Sequence, residues 1–73
     1  ARMTLRFLLP LKDMTSISIY DMSGRMMQSI AHGIFESGEH QLDWYADNLS
    51  SGIYFIRMSS GDFIDTRKIT LIK

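Results

Sequence analysis

Asp21-Met22-Ser23-Gly24-Arg25 stands between the alternating run Thr15-Ser16-Ile17-Ser18-Ile19-Tyr20 and the apolar pair Met26-Met27. The alternation points Ile17 and Ile19 inward and Ser16 and Ser18 to water, the period of a half-buried strand. At its end the Asp21 carboxylate can accept hydrogen bonds from backbone N–H groups. Gly24 can take the φ > 0 conformation that costs another residue about 1 kcal/mol or more. The segment therefore predicts a β-hairpin closed by a type I turn with a G1 bulge.

The same theme extends in both directions. Thr4 to Leu9 reads as a first strand with Leu5, Phe7 and Leu9 on one face, ended by Pro10, which cannot donate to a ladder. Lys12-Asp13 reads as the turn into the second strand. Arg25 to Ile30 is a third strand, less regular and near an edge, and Ala31 to Ser37 a connection crossing to another sheet. Gly38 opens a fourth strand whose His40, Leu42 and Trp44 share one face, with Trp44 at the centre of the core. Asp47 to Gly52 is a polar loop in which Leu49 plugs the open end. Ile53 to Met58 reads as a central strand buried on much of both faces. Ser60-Gly61-Asp62 turns into a last strand, where an inward Ile69 and Leu71 would call for a bulge near Arg67.

This pattern predicts an all-β fold: an antiparallel β-sandwich of six to seven strands, or a small barrel of the same strands. Ile17, Ile19, Leu42, Trp44, Ile56, Ile69 and Leu71 form its expected core. The 73 residues fit a single domain, and at this length folding buries about 60–65% of the extended chain's surface. With 45% apolar residues the chain can build a core. The Ala at position 1 reads as a fragment of a larger protein.

Charge and composition exclude several functions. Eight basic and eight acidic residues give zero formal net charge, so no long-range field gathers nucleic acid or anionic membrane. There is no cysteine, which removes disulfides and thiolate chemistry. No apolar run is long enough to span a bilayer. His32 and His40 lack the partners of a usual zinc site, and His40 reads as a half-buried side chain with one backbone partner. No serine sits in a nucleophile elbow. Asp43, Asp47, Asp62 and Asp65 lie in or beside solvent-facing turns and strands, where acid–base catalysis has no enclosing cleft. Asp21 and Asp47 lack the D-x-D-x-D spacing of a calcium loop. Arg57, Arg67 and Lys68 beside Tyr54 and Phe55 have the ingredients of a stacking surface, but few cations. The reading is no enzyme and no cofactor.

Five segments in order carry a resemblance: Thr4-Leu5-Arg6-Phe7, Ile17 to Arg25, Gly38 to Trp44, Leu49 to Met58, and Lys68 to Lys73. Together they resemble the type A C-terminal sorting domain of type IX (Por) secretion, and also the immunoglobulin-like domain of the flagellar hook-capping protein. The resemblance implies an immunoglobulin-like sandwich that directs an upstream cargo across the outer membrane. It implies secretion-machinery proteins and a sortase-like protease as partners, and passage through the periplasm to the cell surface or the medium. The motif positions it marks are Asp21, Gly24, Arg25, Gly38, His40, Trp44, Gly52 and Tyr54, with Arg57, Lys68 and Lys73 expected to contact the machinery. Tyr45 departs from the family, which often has Asp after the Trp. The terminal position of Lys73 favours sorting over a hook-cap module. An accessory interaction module, hook-cap-like or carbohydrate-binding, is the alternative, and free edge strands make an edge-strand dimer a further expectation.

Overall fold

The computed structural model describes residues 2–72. Six strands follow one another: β1 (Arg2–Leu9), β2 (Asp13–Tyr20), β3 (Met26–Phe35), β4 (Gly38–Tyr45), β5 (Gly52–Ser60) and β6 (Phe63–Leu71). They form a two-stranded sheet, β1-β4, and a four-stranded sheet in the order β3-β2-β5-β6, with every pairing antiparallel. This is the expected β-sandwich, with six strands.

Alternation builds the core. Ile17 and Ile19 of β2, Tyr54, Ile56 and Met58 of β5 and Leu71 of β6 meet Leu9 of β1 and Trp44 of β4, joined by Ala46 and Leu49 from the β4–β5 loop. Leu9, Ile17 and Ile19 are essentially sealed from solvent, and each such side chain contributes about 1.5–3 kcal/mol. The exposed ion pairs Arg2–Asp43 and Lys12–Glu36, at 3.9 and 3.4 Å, contribute about 0–1 kcal/mol each. Burial therefore decides the fold. Of the seven expected core residues, Ile17, Ile19, Trp44, Ile56 and Leu71 are buried, whereas Leu42 and Ile69 are half-buried and pack against the core's margin.

The hairpin between β2 and β3 forms as read. Gly24 N–H donates to the Asp21 carbonyl at 3.0 Å and Asp21 N–H to the Arg25 carbonyl at 2.9 Å. Gly24 has φ of 87°, the left-handed conformation a G1 bulge requires.

Five local expectations are corrected. The turn before β2 lies at Pro10 and Leu11, and Asp13 is already in the strand. Ala31 to Ser37 is not a long connection: β3 runs to Phe35, and two residues carry the chain to the other sheet. The irregularity of β3 comes from register shifts opposite Ile17/Ser18 and Ile19/Tyr20, bulges that break period-2 alternation without ending the strand. Ser18 is buried rather than water-facing, because β2 is central and strands on both sides shield so small a side chain. On its outer face β5 is not deeply buried: Arg57 is exposed and Phe55 half-buried. Finally, β6 needs no bulge near Arg67. Its register against β5 is unbroken from Phe63 to Leu71, so Asp65 and Arg67 share the inward parity of Ile69 and Leu71 and emerge at the open flank.

Candidate functional site

The expected motif residues fall into two groups. Asp21, Gly24 and Arg25 organise the β2–β3 turn. The Asp21 carboxylate accepts from the Ser23 N–H, the Ser23 hydroxyl and the Arg25 N–H at 2.9, 2.7 and 3.0 Å, and the Arg25 guanidinium lies 3.5 Å away. The Ser23 hydroxyl first, and then the Arg25 N–H, hold this carboxyl below its ordinary value, outweighing the opposing desolvation.

His40, Trp44 and Tyr54 brace the scaffold. The His40 ring stacks on Phe7 at 5.2 Å and meets Phe35 edge-on at 5.2 Å. Its Nε2 lies 2.6 Å from the Glu36 carbonyl, so the ring ties the short β3–β4 connection to β1. Trp44 is buried, and its indole N–H has no hydrogen-bond partner among the described residues. The Tyr54 hydroxyl donates to the Ser50 carbonyl at 2.7 Å, closing the loop before β5 as a tyrosine corner does. Gly38 and Gly52 open β4 and β5.

Arg57 and Lys68 come together on the outer face of the four-stranded sheet. Lys68 stands directly opposite Phe55, and Arg57 opposite Thr66, so the two cations are diagonal neighbours separated by about 7–8 Å at the backbone. Neither forms an ion pair among the described residues. Lys73 lies outside the described residues. Beside the cations runs an open groove of about 400 Å³, lined by Tyr20, Asp21, Met22, Gly24, Phe55, Arg57, Ile64 and Thr66. Tyr20, Met22, Ile64 and Thr66 were not expected from the sequence. Met22 lies in the turn after β2, the bulge expected near Arg67 would have put Ile64 and Thr66 on the inward face, and nothing in the sequence placed β2 and β6 on either side of β5.

The outer face of the two-stranded sheet is different in kind. Most of its charges and polar groups pair across the strands, Glu39 excepted: Thr4 donates to Asp43 at 2.8 Å, Arg6 to Gln41 at 3.1 Å, and Arg2 pairs with Asp43. The open hollow of about 640 Å³ at Arg6, Phe7, Leu8, Glu39, His40 and Gln41 borders this largely paired surface. Among the described residues, no group of three or more His, Asp or Glu is placed to hold a metal ion, and no helix is long and apolar enough to cross a membrane.

Comparison with curated proteins found no match. The family model of the secretion system C-terminal sorting domain matches residues 2–73, so the match takes in all six strands, the Asp21 turn, the Trp44 core and the Tyr54 corner. On that match and this two-sheet fold, the chain belongs to the C-terminal sorting-domain family of type IX (Por) secretion, whose role is that of a non-catalytic secretion signal.

Proposed function

We propose that this domain directs an upstream cargo protein through the type IX machinery, out of the periplasm and across the outer membrane, and that a sortase-like protease removes it as cargo is attached to the surface or released. The observation that carries this reading is the sorting-domain match over residues 2–73. Arg57, Lys68 and Lys73 are the proposed machinery contacts. For the first two, support comes from their exposure and lack of an ionic partner among the described residues. Such cations add little to stability but can orient a partner.

The test is a reporter carrying the 73-residue chain at its C-terminus, expressed in a bacterium with type IX secretion and in a translocon-deficient strain. The reporter is expected outside the first strain, shortened by about the length of this domain, and retained in the second. Equal reporter levels outside both strains would overturn the sorting reading in favour of an accessory module. A strand-paired dimer is a second mode of association. It is favoured by the unpaired outer sides of β1 and β6 in the sheet order, and a concentration-dependent dimer in sedimentation experiments would reveal it.

A further inference from the structure

Resting on the sorting reading and deepening it, we infer that the groove between the β2–β3 turn and β6 is the docking surface of the domain, and that its occupant is an extended segment of a machinery protein carrying apolar side chains and at least one carboxylate. Three observations converge on this groove. Its lining is mostly apolar, with Phe55 and Tyr20 half-buried and Ile64 54% exposed. Exposure of such an apolar strip to water is unfavourable, and covering it with a partner lowers the free energy. Arg57 lines it and Lys68 stands next to it opposite Phe55, both cations without an ionic partner among the described residues. The carboxylate at its end, Asp21, is already engaged by Ser23 and Arg25, so it leaves the cations uncompensated.

The contrast between the two outer faces sharpens the assignment. On the two-stranded sheet, Arg2, Thr4 and Arg6 find their partners across the strand pair. On the four-stranded sheet the positive charge is left for something outside the domain. A carboxylate supplied by a partner would meet Arg57 as a charge-assisted hydrogen-bonding group, while its neighbouring apolar side chains covered Phe55 and Ile64. Two cations on a domain of zero net charge are too few to hold a nucleic-acid backbone or an anionic bilayer by electrostatics alone. The chemistry therefore favours a peptide with mixed apolar and acidic character.

The experiment uses the reporter fusion in the type IX host. Ile64→Asp and the double variant Arg57→Glu/Lys68→Glu are each expected to lower the exported fraction by about tenfold or more, with thermal unfolding of the purified fusion unchanged. Leu8→Asp, on the outer face of the other sheet, is expected to export normally. A photo-crosslinking residue placed at Ile64 is expected to yield an adduct whose partner peptide, read by mass spectrometry, is apolar and contains Asp or Glu. Should Ile64→Asp unfold the domain, the double charge reversal and the crosslink still decide the question. Normal export of the charge-reversed fusion, a crosslinked peptide without a carboxylate, or an adduct of twice the fusion's mass formed in place of any machinery adduct would each overturn the proposed docking surface. Translocon-independent export of the unmodified fusion would instead overturn the sorting reading, so the two failures are distinguishable.

Discussion

Asp21 shows how one side chain can fix a turn. Its carboxyl has a folded-state pKa below the ordinary 3.8, so its contribution to stability is present above that value and is lost as pH falls through the folded one. Unfolding in urea should therefore become easier on acidification below about pH 5, and Asp21→Asn should make that acid limb shallower. An unchanged limb would assign the acid sensitivity to other carboxylates. Gly61 is a second position where backbone dictates the residue. It has φ of 56°, and an added Cβ would run into the Asp13 carboxylate. Gly61→Ala should destabilise by about 1–2 kcal/mol from the left-handed backbone alone, measurable as a lowered urea midpoint. For Tyr54→Phe, loss of the hydroxyl bond to Ser50 should cost about 1 kcal/mol with the aromatic packing retained.

At the level of elements, the contact between β2 and the end of β5 is polar inside the core. Thr15 and Ser60 are buried, and their hydroxyls lie 2.8 Å apart. The Thr15 hydroxyl also reaches the Asp13 carbonyl at 3.1 Å. Thr15→Val removes the partner of a buried hydroxyl and should cost about 1–3 kcal/mol. Replacing Ser60 by Ala as well should recover part of that loss, because no unsatisfied hydroxyl then remains. A double-mutant cycle in denaturant checks this, and additive losses would show that the pair is not coupled.

For the whole molecule, the sandwich is lopsided: a two-stranded sheet covers a four-stranded one. The pairing of β1 with β4 is continuous from Arg2–Tyr45 to Leu9–Gly38, and it places Leu9 and Trp44 against the larger sheet. Deleting residues 1–9 should leave β4 without its ladder and admit water to Trp44. The expected outcome is a red-shifted tryptophan emission and loss of the cooperative thermal transition. Preserved blue-shifted emission would mean that the four-stranded sheet shields Trp44 unaided. Trp44→Ala should cost about 3–5 kcal/mol, a large part of the total stability of a small domain.

Local chemistry determined much of this protein. Period-2 alternation placed Ile17, Ile19, Ile56 and Leu71 in the core, and the Asp21–Gly24 spacing specified its turn, because both depend on residues within a few positions of one another. The half-buried state of His40 and its single backbone partner were legible for the same reason, since the Glu36 carbonyl is four residues away. Tertiary structure decided which strands became neighbours. A bulge does not announce itself in composition, so β3 read as ending early. Burial of Ser18 depends on strands that flank β2 from distant parts of the chain. The groove is the clearest case: Tyr20, Phe55 and Ile64 look like ordinary strand residues one at a time, and become one apolar strip beside Arg57 and Lys68 only because β5 lies between β2 and β6. Adjacency across a sheet arises from long-range pairing, which sequence spacing does not encode.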